Sequence, residues 1–229
     1  RRKISEVFCI MIIKNQKFIF LYALIATLIV FNLGIFLGYM LETSRINKIN
    51  NMYLETDMNI LDQRILNDAE DIIDFGCEYL IEENIKFGDK IFKDALQMKK
   101  YEDANRINGD IISQHRKYDL LRTLFWINSM KIKQKCNSDF HTIVYIYKYN
   151  NPSIQQISEQ KFFSNLLNEI KEKYGNDALL IPIAGDNNLI SLDLLMKKYN
   201  IIELPTILIN EDIKMTEVKS MEDIEQYLE

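Results

Sequence analysis

From Phe18 to Leu41 the chain reads FIFLYALIATLIVFNLGIFLGYML, 24 residues without a charge. As a helix this run covers roughly 36 Å, more than the about 30 Å of a bilayer's hydrocarbon core. Thr27 and Asn32 are its only clearly polar interruptions, so the pattern predicts a membrane-spanning helix over 18–41. A buried core helix of this character would need a domain large enough to surround it. A cleaved signal peptide fits less well, because the apolar run is long and ends in Tyr39-Met40-Leu41-Glu42 rather than in small residues. From Glu42 to about Lys135 the period changes to that of amphipathic helices, with no Pro and apolar residues three and four apart: Ile46, Ile49, Tyr53, then Leu61, Ile65, Ala69, Ile72, Ile73 and Leu80. Breaks are expected near Gly76 or Gly88-Asp89, and again at Asn105–Asp110, where Asn108-Gly109-Asp110 reads as a stop followed by an N-cap. A further helix is expected from Ile111 through Leu120, Leu121, Leu124 and Ile127. These helices are expected either to pack as a small antiparallel bundle standing on the membrane or to have the first of them as a stalk that pairs with a partner.

Past Cys136 the period changes again. His141–Lys148 is a β-branched and aromatic run that predicts a strand, Ile154–Tyr174 an amphipathic helix, and Ala178–Ala184 a buried strand. Leu189–Tyr199 predicts a helix, Thr206–Ile209 and Lys214–Val218 two strands joined by Asn210-Glu211-Asp212, and Met221–Leu228 a closing helix. The order βαβαββα implies a sheet whose parallel strands are joined by crossover helices. The expected architecture is a membrane-anchored α plus α/β chain: an N-terminal segment 1–17, a transmembrane helix 18–41, a helical juxtamembrane region 42–135 and a C-terminal α/β domain 141–229.

Charge adds direction to this layout. Arg1, Arg2, Lys3, Lys14 and Lys17 precede the apolar run, whereas Arg45 and Lys48 are the cations in the twenty residues after it. That bias predicts a cytoplasmic N-terminus and an extracytoplasmic remainder. The net charge is −5, and the residues from His141 onward hold eight Lys/Arg against fourteen Asp/Glu, so a nucleic-acid partner is not expected. Three Cys and two His argue against a disulfide-dense scaffold, a four-Cys zinc site and a His-rich metal site. Gly34 and Gly38 form a GxxxG pair in the apolar run, so self-association of the membrane helix into a homodimer is an open alternative.

Two motifs in the C-terminal part carry a resemblance. Ile201-Ile202-Glu203-Leu204-Pro205-Thr206 follows a helix and opens the next strand, and Asn150-Asn151-Pro152-Ser153 joins the first strand to the first helix. Together with the βαβαββα order, these resemble the thioredoxin superfamily over residues 141–229. The resemblance implies a cis Leu204–Pro205 bond, and it implies that residues 150–153 stand where thioredoxins carry their redox Cys-x-x-Cys. Here the Pro is kept and both Cys positions hold Asn150 and Ser153. Thiol exchange needs a low-pKa thiolate and a resolving thiol, which these residues cannot supply, so no enzymatic activity and no cofactor are expected. The resemblance then implies a redox-inactive domain that uses Asn150, Asn151, Pro152, Ser153, Leu204, Pro205 and Thr206 as a surface for a protein partner, beside a helix start whose N–H groups are expected to be open.

Cys9 is expected on the cytoplasmic side. Cys77 and Cys136 are both expected outside, where they either close a structural disulfide or remain two buried free thiols. Ser153 has no His near it in sequence, and His141, at the start of the first strand, reads as structural. The expected function is binding or scaffolding a protein partner at the membrane surface. Two alternatives stand beside it: a thiol-disulfide accessory protein using Cys77, Cys136 or a partner's cysteines, and a structural subunit of a membrane complex acting through its helical region.

Overall fold

The computed structural model describes the backbone of residues 2–70, 72–104 and 109–228, with side chains throughout these ranges except at 2–17, 45, 46, 48–50, 52, 53, 100–104, 109–111 and 114. The chain divides into two compact units, Arg1–Asn51 and Met52–Glu229. α1 is Arg2–Glu70, and its residues are shared between the two. In the first unit, Phe18–Ser44 is long and apolar enough to cross a membrane, and none of its side chains is buried. Its polar interruptions are satisfied by the helix itself: Thr27 Oγ1 donates to the Ala23 carbonyl at 2.9 Å and Asn32 Nδ2 to that of Leu28 at 2.7 Å. Local pairing of this kind is what an apolar surrounding demands of a polar side chain. The cationic segment 1–17 and Cys9 lie outside the residues whose side chains are described.

In the second unit, α1 ends at Glu70, a turn passes through Gly76 with φ +78°, and α2 (Cys77–Ala104) and α3 (Gly109–Cys136) follow. Gly88-Asp89 is not a break: α2 runs straight through it. A Cβ on Gly88 would stand 2.8 Å from Phe125 Cζ and 3.2 Å from Leu179 Cδ2, so this glycine lets α2 come close to α3 and the sheet. The expected break at Asn105–Asp110 falls partly on residues 105–108, outside the described residues; α3 begins at Gly109. Cys77, at the start of α2, and Cys136, at the end of α3, form a disulfide with Cα atoms 5.4 Å apart.

The sheet has four strands, β1 (His141–Tyr147), β2 (Ala178–Ala184), β3 (Thr206–Ile209) and β4 (Ile213–Met215), in the order β2-β1-β3-β4. β1 and β2 are parallel, while β3 is antiparallel to β1 and β4 to β3. The helices between them are α4 (Ile154–Tyr174) and α5 (Ile190–Lys198), with α6 (Glu222–Glu225) last. Strand residues alternate between two covered faces. Ile143, Tyr145, Leu180, Ile207 and Ile209 pack with Phe163, Leu167 and Ile170 of α4 and Ile224 of α6. On the other side α2 and α3 lie against β2, and α3 also reaches β1 and α5. The regions 42–135 and 141–229, consecutive in the sequence reading, fall into one compact unit from Met52 onward.

Two expected elements are shorter than their patterns. β4 covers 213–215 rather than 214–218, because β3 is four residues long and pairs only through Ile207–Ile209; Val218 is buried in the core beyond the strand. α6 ends at Glu225 because the chain tightens there, with Tyr227 N–H donating to Ile224 and Leu228 N–H to Glu225 in i→i+3 bonds. The β3–β4 hairpin turns on Asn210 and Glu211, both with positive φ (51° and 60°), the conformation of a type I′ turn. Glu211 adopts it while its Oε1 accepts from Trp126 Nε1 and Thr142 Oγ1, each at 2.8 Å.

Candidate binding surface at one end of the sheet

Register brings Tyr147, Ala184 and Thr206 to the same edge, since Tyr147 pairs with Ala184 and Ile146 with Thr206. The connection after β1 and the one before β3, which meet at this edge, are the two that the sequence marks as a surface; the Gly185–Leu189 connection after β2 joins them there. After β1, the N–H groups of Tyr149 and Asn150 donate to the two carboxylate oxygens of Asp186, both at 2.8 Å. Asn150 Nδ2 donates to the Asp186 carbonyl at 3.1 Å and to Asn187 Oδ1 at 3.2 Å. Asn151 is exposed with φ +47°, a conformation asparagine tolerates better than most residues.

Ser153 is the N-cap of α4: its Oγ accepts from Gln156 N–H at 3.2 Å, and Gln156 Oε1 accepts from Ser153 N–H at 3.0 Å. This reciprocal capping box engages the Ser153 hydroxyl and closes the N3 N–H, so that part of the helix start expected to be open is capped from within the chain. Gln156 also ties the second loop to the first, its Nε2 donating to the Leu204 carbonyl at 3.4 Å. The Leu204–Pro205 bond is cis, Pro205 and Thr206 are buried, and Thr206 Oγ1 donates to the Glu203 carbonyl at 2.6 Å. Leu204 leans on the end of β2, where a Cβ on Gly185 would meet Ile146 Cγ2 at 2.7 Å and Leu204 Cδ1 at 3.1 Å.

Behind these loops stands a buried polar cluster that the sequence reading did not single out. Asp119 of α3 accepts from Asn187 Nδ2 at 2.6 Å and from Ala184 N–H at 3.3 Å, and it faces Arg122 Nη1 at 3.2 Å and His115 Nε2 at 3.3 Å. Burial pushes the Asp119 carboxyl above the usual carboxylate range, while His115, Arg122 and the two hydrogen-bond donors pull it down. His115 also lies 3.0 Å from Tyr147 Oη and stacks on Tyr149 with ring centroids 3.9 Å apart. The spacing of His115, Asp119 and Arg122 puts them on one helix face, a signal present in the sequence. Their partners, Ala184 and Asn187, lie more than sixty residues further along the chain and carry no local signature.

Beside polar side chains such as Asn151, Gln155 and Glu203, this arrangement presents large apolar side chains to solvent. Ile154, the first residue of α4, is 86% exposed, and Ile202, in the loop before Pro205, is 80% exposed. Ile190, the first residue of α5, is exposed at the same end of the sheet. Ser153 serves as a cap, and His115 is buried and faces Tyr147 and Asp119. Among the described residues no three His, Cys, Asp or Glu side chains gather as metal ligands. The remaining sequence candidates lie elsewhere. Cys77–Cys136 belongs to the start of α2 and the end of α3, His141 to the opposite end of β1, and Gly34 and Gly38 to the other unit, with no atom within 4 Å of an added Cβ.

No family model matches the chain, and no curated protein matches it. One solved structure, described as that of a malarial protein, is similar over 39% of this chain and 99% of its own, at 17% identity and a TM-score of 0.31. A likeness that faint carries no argument about fold or function.

Proposed function

We propose that the chain is a membrane-anchored protein whose residues 141–229 form a thioredoxin-like domain without thiol chemistry, and that this domain holds a protein partner outside the cytoplasm. The fold reading is supported by the βαβαββα order, by the β2-β1-β3-β4 sheet with one parallel and two antiparallel pairings, and by Pro152 before α4 and Pro205 before β3. The orientation reading is supported by five cationic residues before the apolar helix against two in the twenty residues after it.

One observation carries the function. At the corner between β1 and α4, where thioredoxins hold a reactive thiol pair, Asn150 is bound to Asp186 and Asn187 and Ser153 to Gln156, while Ile154 and Ile202 stand in water beside them. Large apolar side chains exposed next to a braced backbone suit the docking of another polypeptide. The test is recovery of bound protein from native membranes by the full chain and by its Ile154→Asp/Ile202→Asp variant, each with and without dithiothreitol. The reading expects a partner that survives reductant and falls at least tenfold with the double variant. Recovery abolished by reductant would instead favour a thiol-disulfide accessory acting through cysteines.

A further inference from the structure

The part of α1 in the second unit has one face against the protein and leaves a stripe of large apolar side chains in water. Polar side chains make many of its contacts to the rest of the unit: Lys117 Nζ reaches Asp57 Oδ2 at 2.8 Å, Lys90 Nζ reaches Asn59 Oδ1 at 3.2 Å, Asn128 bonds both Gln63 and Asn67, and Lys131 and Lys135 flank Glu70. Ile60 and Leu66 are half-buried, whereas four other large apolar side chains are exposed. Leu54 is 64% exposed, Met58 65%, Leu61 59% and Ile65 66%. These four positions are separated by four, three and four residues, which is a heptad repeat with Leu54 and Leu61 at d and Met58 and Ile65 at a. An ordinary surface helix buries such a stripe against its own core.

We infer that a second copy of this chain packs along the stripe, so that two copies join through a short coiled coil over residues 54–65 of α1. A 3.5-residue repeat is the spacing that keeps an apolar seam facing an identical helix, and Leu at both d positions with Ile65 at one of the two a positions is in keeping with two strands. Each of the four side chains offers on the order of 100 Å² of apolar surface. A pair of stripes therefore removes about 800 Å² before flanking residues are added, close to the roughly 1,000 Å² a specific interface needs. Glu55 and Asp62 border the stripe at e positions, which disfavours an anionic lipid surface as the occupant. The inference stands on α1 alone and is independent of the surface at Asn150–Ser153.

The test is the mass of the full chain in mild detergent by sedimentation velocity, with the Leu61→Asp/Ile65→Asp variant beside it. Both side chains are exposed, so the variant should keep its thermal unfolding transition. The wild type is expected to be a dimer, the variant to associate at least tenfold more weakly, and Gly34→Leu/Gly38→Leu to remain dimeric. A monomeric wild type would overturn the inference and leave the stripe to another protein's helix. A variant that pairs as tightly as the wild type would also overturn it, by placing the contact elsewhere. Should the Asp variant misfold, Leu61→Cys in a Cys9→Ser background should give a covalent dimer on a non-reducing gel, and a monomer there overturns the inference equally.

Discussion

Asp119 joins three parts of the chain through one carboxylate: the face of α3 that carries His115 and Arg122, the last residue of β2, and the Asn187 turn that braces Asn150. Replacing Asp119 by Ala removes the counter-charge facing a buried guanidinium and two hydrogen-bond acceptors at once. A loss of about 3–5 kcal/mol is expected, read as a lowered denaturant midpoint. His141 marks the opposite end of β1. Burial, and then the nearby Lys133 cation, hold its imidazole below the ordinary value of 6.5, with Asn210 Nδ2 2.9 Å from Nδ1. A base with a depressed folded pKa gives stability that is complete above the unfolded pKa and declines as pH falls through it, because only the unfolded chain then takes up the proton. The wild type should therefore lose stability relative to His141→Gln as pH drops below about 6.5, and parallel stability–pH curves would contradict this. At this scale sequence reading reaches residue types and local spacing. It names Asn150 and Ser153 as candidate surface residues, yet it cannot see that Asp186, Asn187 and Asp119 converge on Asn150, because that convergence is made by tertiary folding.

Among elements, β1 falls within one residue of its β-branched run, ending at Tyr147 rather than Lys148. β2 and β3 fall where their patterns place them, as does α4, whose capping box and amphipathic period agree with each other. β4 and α6 are misjudged because their lengths are set by a short partner strand and by a tightening last turn rather than by their own periodicity. Gly88 shows the same limit from the other side. A glycine in a helical pattern reads as a break, yet here it marks close contact with Phe125 and Leu179. Gly88→Val should drive a branched side chain into both neighbours and cost about 1–3 kcal/mol, whereas an unchanged melting temperature would remove the close-packing account. The Cys77–Cys136 bridge ties α2 to α3 across a sequence separation of 59. In the chain-entropy treatment, closing a loop of that size is worth about 4 kcal/mol. Urea unfolding of the Cys77→Ala/Cys136→Ala variant should show a loss of that order; coincident curves with and without the bridge would contradict it.

For the whole molecule, the sequence pattern marks out both the apolar helix of the first unit and the alternating strands and helices of the second, since each is a statement about periodicity along the chain. It does not reveal that α2 and α3 share the sheet's core, nor that residues 54–65 leave their apolar face in water, because burial depends on what each helix meets. The surface at the Tyr147–Ala184–Thr206 edge was half legible. Asn150–Ser153 and Leu204–Thr206 could be named, whereas the exposed Ile154 and Ile202 that give the surface its apolar character emerge only with exposure. The claim that this edge holds a protein without thiol chemistry is tested most directly by placing a photoreactive amino acid at Ile202 and, separately, at Lys214, on the edge strand, then irradiating intact membranes that carry the full chain. The account predicts a discrete covalent adduct from Ile202 that persists in dithiothreitol, with none from Lys214. No adduct from Ile202, or the same adduct from both positions, would contradict it.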